Sequence, residues 1–154
     1  MPLVGAARHR VQIRSREARA QISDFLTRQV NEKSISMCVN YVNPDHVHAL
    51  IDLPTTLSVS KAVQLLKGSS SPWITKHEIT PPEGFGWARG YGAFSVSPRD
   101  VDRVTRHIVN QEKHHARTSF EAEYEARRQL LTLGDFAFTP IDLNFSNTTI
   151  HRGA

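Results

Sequence analysis

One cysteine in 154 residues, Cys38, excludes a disulfide framework. It stands in an alternating, strand-like run, where a small buried hydrophobe is the expected role. No stretch approaches the ~20 apolar residues of a membrane span, and residues 1–10 lack the hydrophobic segment of a signal peptide. The expectation is an intracellular, cytoplasmic chain with no membrane association. Internal repeats and low-complexity blocks are also missing, so neither a solenoid nor a disordered tract is indicated. Acid is the scarcer charge: 15 Asp plus Glu against 19 Lys plus Arg leave a net +4, a mild bias toward polyanionic partners. What remains is ordinary, with 39% apolar and 22% charged residues. That is enough for one well-packed domain.

Along the chain, residues 3–7 (LVGAA) read as a short strand, followed by the basic cluster Arg8, His9 and Arg10. Ala18, Ile22, Phe25, Leu26 and Val30 recur at helical spacing and predict a helix over 15–33, capped by Ser15. Residues 34–42 and 46–54 alternate like strands around the turn Asn43-Pro44-Asp45, which predicts a β-hairpin. A helix over 58–75, capped by Ser58 or Ser60, is expected to be interrupted by the small residues and proline of 68–72. Residues 81–90 read as loop and 91–97 as a strand. Ser97 and Pro98 then open a helix to about residue 116. A last helix over 120–133 ends near Gly134, and 135–154 is a turn-rich tail.

The order β-α-β-β-α-β-α-α begins with the six elements of a split βαβ, ferredoxin-like unit. The fold class is therefore α+β, an antiparallel sheet with packed helices plus a C-terminal helix and tail. One domain over 1–134 and a tail over 135–154 are expected. Because that fold hosts many activities, function has to be argued from side chains.

In the second hairpin strand a period of two puts His46, His48, Leu50 and Asp52 on one face. Two imidazoles on one face can bind metal. With eight histidines in the chain, though, about 0.4 such pairs arise by chance, and ordinary hydrogen-bonded histidines explain the pattern equally well. Asp52 can orient an imidazole or be merely an exposed strand residue. Corroboration comes from residues 104–117, VTRHIVNQEKHHAR. At 100° per residue His107, Gln111 and His114 fall within about 40° of one another, beside an apolar stripe of Val101, Val104 and Ile108. If that polar stripe faces the strand histidines, the amide oxygen of Gln111 completes a two-nitrogen, one-oxygen site. An open shell of this type suits Mg²⁺ or Mn²⁺ acting on a phosphodiester. A zinc site of His46, His48 and either His107 or His114 is the other metal reading.

The stretches NPDHVHALIDLP, SVSKAVQLLKGSSS, GYGAFSVS and VTRHIVNQEKHH, in this order and spacing, resemble the single-tyrosine transposases of the insertion sequence 200 type, including those associated with repetitive extragenic palindromes. The resemblance spans about residues 3–133. It implies an HUH endonuclease in which His46, His48 and Gln111 hold Mg²⁺ or Mn²⁺. It further implies single-stranded DNA with a hairpin as substrate, and a homodimer able to exchange its catalytic helix. Asn110 and His114, in the same motif, are expected beside the ligands. Lys67, Ser69 and Ser70, with Arg8 and Arg10, are the candidates for DNA phosphates; Trp87, Tyr91 and Phe94 are either base-stacking or core residues.

Two departures from the pattern stand out. Where the family carries its nucleophilic tyrosine, four residues before the glutamine, this chain has His107. Strand transfer is expected to be impaired, with His107 serving as a weak nucleophile, an additional metal ligand, or an acid or base for water. A DNA-hairpin-binding module without chemistry is the alternative. The first strand is also short, which predicts a thinned sheet centre and, with His107, a truncated, decaying or repurposed transposase.

Overall fold

A computed structural model of the chain describes residues 1–13, 15–80 and 84–115, together with Ala122. Strand β1 (Pro2–Ala6) leads through a 3-10 turn at Arg8–Arg10 into helix α1 (Arg16–Asn31). Strands β2 (Ser36–Val42) and β3 (His46–Asp52) form the hairpin, and helix α2 (Val59–Lys76) follows. Strand β4 (Gly92–Ala93), a 3-10 turn at Pro98–Asp100, helix α3 (Val101–Val109) and helix α4 (Gln111–His115) complete the order. The strands lie as β2-β3-β1-β4 with every neighbouring pair antiparallel. This is the ferredoxin-like α+β arrangement expected from the order of elements. The helix expected over 120–133 and the tail over 135–154 lie outside the described residues, apart from Ala122.

Local chemistry sets the helix starts. Ser15 Oγ accepts from the Ala18 backbone N–H and Ser58 Oγ from that of Lys61, each at 3.2 Å, so both helices begin on a capped donor. The apolar stripe Ile22, Leu26 and Val30 of α1 is buried. It packs with Ala62, Val63 and Ile74 of α2 on the sheet face that carries Leu3, Ala49 and Ile51. Helix α3 lies against β2 and β3 on the other face, with Ile108 buried. The sheet is thus the middle layer, and its two faces do different work.

Several expectations need correction. The sheet centre is not thinned, because all five residues of β1 pair with β3, from Pro2 opposite Leu50 to Ala6 opposite His46. Cys38 is exposed rather than buried. The β2–β3 register shifts between Met37 and Val39, so Cys38 is the extra residue of a bulge and loses its place in the alternation. Helix α2 runs through 68–72 without interruption, with Pro72 inside it. Its hydroxyls fold back onto its own carbonyls, Ser69 to Leu65 at 2.8 Å and Ser70 to Leu66 at 2.7 Å, so these serines extend the helix instead of ending it.

The strand expected over 91–97 shrinks to Gly92–Ala93, because two separate pieces of chain share the free edge of β1. Trp87 bridges to Ala7, and the Ala88 N–H donates to the Ala6 carbonyl at 2.8 Å. Farther along, Gly92 and Ala93 pair with Val4 and Leu3, and the Phe94 N–H reaches the Pro2 carbonyl at 3.0 Å. Gly86 is where the chain passes the Arg8 guanidinium: a Cβ there would lie 3.4 Å from Nε.

Lys67 clamps the bend between those two pieces. Its Nζ donates to the carbonyls of Ala88 and Gly90, both at 2.7 Å, and lies 5.7 Å from the Tyr91 ring centre. Burial pushes its pKa from 10.5 down to about 8. The folded state therefore binds this proton more weakly than the unfolded chain. Stability linked to Lys67 is complete above pH 10.5 and is lost as the pH falls to about 8. Its full size is about 3 kcal/mol, at 1.36 kcal/mol per pKa unit. Urea titrations should show the wild type gaining stability from pH 8 to pH 10 relative to Lys67→Met. Parallel pH profiles would remove the Lys67 explanation.

Candidate functional site

Strand β3 starts directly after the Asn43-Pro44-Asp45 turn, and its alternation turns His46 and His48 to the face opposite α1 and α2. Each is only 3% exposed. Their ring centres stand 5.2 Å apart with the planes at 77°. Val4 and Tyr41 lie opposite His48 in register, and Ala6 opposite His46, so the pair sits in the centre of the sheet rather than at an edge.

Helix α3 brings His107 to the same place. Its ring centre is 6.4 Å from that of His48, at 82°. One turn on, the helix breaks at Asn110, whose backbone is at φ −92° and ψ 19° and whose exposed side chain donates to the Arg106 carbonyl at 2.8 Å. Gln111 then opens α4. The continuous helix expected from Pro98 to about residue 116 is therefore two helices. Asn110 serves the end of α3 instead of reaching the histidines.

Gln111 has no exposure at all. Its amide nitrogen donates to the His107 carbonyl at 3.4 Å, while its buried Oε1 accepts no hydrogen bond among the described residues. A buried amide oxygen without a donor costs about 1–3 kcal/mol unless something positive meets it. Two buried imidazoles and one such oxygen make a donor set that fits a divalent cation of the Mg²⁺ or Mn²⁺ kind. No three His, Cys, Asp or Glu side chains come together as a metal set among the described residues. The three-histidine zinc reading therefore lacks its cluster there. His114 belongs to α4, and the role expected of its side chain lies outside the described part.

His48 and His107 also line a cleft of about 610 Å³, with Phe94, Ser95, Ser97 and Arg103 among its other walls. Arg103 pairs with Asp100 at 3.0 Å on the rim. The space exceeds what one metal ion needs and is of the size of a small-molecule pocket.

The residue that sequence reasoning missed is Asp45. Its Oδ1 lies 2.7 Å from His46 Nδ1 and its Oδ2 2.5 Å from Arg10 Nη2. Burial raises the Asp45 pKa, but the His46 hydrogen bond and the charge and hydrogen bond of Arg10 outweigh it and hold the carboxyl below its ordinary value. Asp52, expected to orient an imidazole, is exposed at the far end of β3 opposite Ser36. Four residues of strand, about 13 Å, separate it from His48. The available signal was the acidic residue directly before the H-x-H pair.

The candidate phosphate ligands divide. Arg8 is exposed over Gly86, whereas Arg10 is half-buried against Asp45. Lys67, Ser69 and Ser70 lie on α2, across the sheet from the histidines; Lys67 is held by loop carbonyls, and Ser70 Oγ accepts from the Trp87 indole N–H at 2.8 Å. Trp87 and Phe94 are buried, and Trp87 stacks edge-on against Phe85 at 4.9 Å. Core packing accounts for Trp87.

A family model described as "Transposase IS200 like" matches residues 1–111, ending on Gln111. Among solved structures, a "putative transposase" from Deinococcus radiodurans R1 is similar in fold, with a TM-score of 0.57 and 24% identity over 71% of this chain and 88% of that one. No curated protein matches. Among the described residues no helix is long and apolar enough to cross a membrane.

Proposed function

Because the chain belongs to the IS200-like transposase family, we propose that it binds hairpin-containing single-stranded DNA at a divalent metal held by His46, His48 and Gln111, and that His107 leaves it impaired in forming a lasting protein–DNA link. The observation that supports this reading is that the His107 ring stands 6.4 Å from that of His48 and about 610 Å³ of open cleft adjoins both, while the buried Gln111 amide is bonded to the His107 carbonyl. Mg²⁺ or Mn²⁺ would supply Lewis-acid polarisation of the scissile phosphodiester. The protein acts in this reading as a homodimer.

His107 can act in two ways. As nucleophile, a ring nitrogen bonds to phosphorus while the bond to the 3′-oxygen breaks, which leaves a phosphoramidate. That link is labile, and a protonated ring has no lone pair to attack with. As base, the ring takes a proton from water while the water oxygen bonds to phosphorus and the 3′-oxygen leaves. Neither route conserves the strand for rejoining as a tyrosine ester does. Arg8, exposed beyond the end of β1, is the candidate for backbone phosphate.

The test is a gel-shift titration of a labelled hairpin-bearing single strand, with Mn²⁺ and with EDTA, for wild type and His46→Ala. Affinity should fall about tenfold or more on removing either the metal or the imidazole, as for loss of a charge-assisted contact of 1.5–3 kcal/mol. Binding indifferent to both treatments would make the chain a hairpin-binding module without metal chemistry. No binding at all would end the reading.

A further inference from the structure

The contact between Asp45 and His46 decides which nitrogen of that ring can hold a metal. A carboxylate only accepts hydrogen bonds, so the 2.7 Å approach of Asp45 Oδ1 to His46 Nδ1 requires the proton on Nδ1. A neutral imidazole has one N–H. Its Nε2 is then the lone-pair donor. Arg10 occupies the other carboxylate oxygen at 2.5 Å, which fixes the carboxyl plane and keeps it ionised.

The surroundings hold this arrangement firmly. The Ala7 N–H donates to the Asp45 carbonyl at 2.8 Å, Ile13 to that of Pro44 at 2.6 Å, and Asn43 to that of His46 at 2.8 Å. The turn that carries Asp45 is thereby tied to the segment that carries Arg10. That segment is itself strained: His9 and Arg10 have φ of 56° and 53°, two successive residues with a Cβ in the left-handed region. Strain of this kind persists where the surrounding structure imposes it, and it gathers at functional sites. Here it delivers the Arg10 guanidinium to Asp45.

We propose that Arg10 and Asp45 are positioning residues that hold His46 as the Nδ1–H tautomer, with Nε2 reserved for the divalent cation. This rests on the metal reading above. It assigns Arg10 to the interior of the site rather than to DNA phosphate, and it links the turn after β1 to metal affinity.

The experiment has two readouts. Long-range ¹H–¹⁵N spectra of the metal-free, ¹⁵N-histidine-labelled chain identify the His46 tautomer, and electron paramagnetic resonance of free Mn²⁺ gives the Kd. Wild type should show His46 as Nδ1–H. Asp45→Ala should mix the tautomers and raise the Mn²⁺ Kd by about 10- to 100-fold, with Arg10→Ala moving both in the same direction by less. Circular dichroism checks that each variant is folded. Should Asp45→Ala not fold, Asp45→Asn reports instead, since its amide donates as well as accepts and releases the preference. A wild-type tautomer and Kd in the Asp45 variants would overturn the proposal. A wild type that binds no Mn²⁺ would overturn the metal reading, while the tautomer in the metal-free chain still decides the relay.

Discussion

His107→Tyr is expected to turn a chain that leaves no durable covalent product into one that does. The substitution puts a phenol where the imidazole stands, on α3 with its ring centre 6.4 Å from that of His48. His107 is only partly buried, beside a cleft of about 610 Å³, so the larger ring has room. A tyrosyl phosphodiester keeps the energy of the broken bond and resists water, whereas a histidyl phosphoramidate keeps that energy but is readily lost to hydrolysis. With Mn²⁺ and a labelled hairpin strand, the variant should show a protein-linked band on a denaturing gel, at about 10²-fold or more above wild type. Brief acid treatment before the gel removes any histidyl adduct and spares a tyrosyl one. An acid-stable adduct from the wild-type chain would show that the link does not depend on position 107.

Gln111→Met should raise stability and abolish metal binding together. The glutamine is fully buried, its Oε1 has no donor among the described residues, and its amide makes one long contact at 3.4 Å. A thioether of similar length removes the unmet oxygen and fills the same space. The metal-free protein should gain about 1–3 kcal/mol. At roughly 2–4 °C per kcal/mol for a chain of this size, thermal unfolding would move up by several degrees. In the same variant the Mn²⁺ Kd should rise at least ~100-fold if, as proposed, Gln111 is one of three protein donors. A less stable variant that still binds Mn²⁺ would show that Gln111 is a packing residue. Opposite signs for stability and binding are the mark of a group kept for its ligand.

The sheet was legible because period two and the Asn43-Pro44-Asp45 turn are local signals, and because His48 and Val47 face opposite sides whatever surrounds them. Helix α2 was harder to read through 68–72. Serine and proline usually end helices, and whether Ser69 and Ser70 bond back to Leu65 and Leu66 depends on their rotamers. Strand β4 was overestimated because its length depends on how much of the β1 edge residues 86–88 already occupy. At the site, the alternation of β3 and the helical spacing of α3 already placed His46 and His48 on one face and His107 near Gln111, while Asp45 escaped notice because it lies in the turn, where strand alternation does not apply. Nor does sequence alone show that Lys67 turns inward, since the carbonyls that hold it are 21 and 23 residues away.

The partial exposure of His107, beside buried His46, His48 and Gln111, has a genetic consequence. His46 and His48 occupy the middle of the sheet and Gln111 the start of α4, all deeply buried, whereas position 107 stands on α3 at the wall of an open cleft. Exchanging the side chain there should leave the core and the buried His46, His48 and Gln111 side chains in place. Tyrosine and histidine codons differ by a single pyrimidine transition. On the proposed function, a lineage would lose or regain strand joining in one base change, without first passing through an unfolded ancestor.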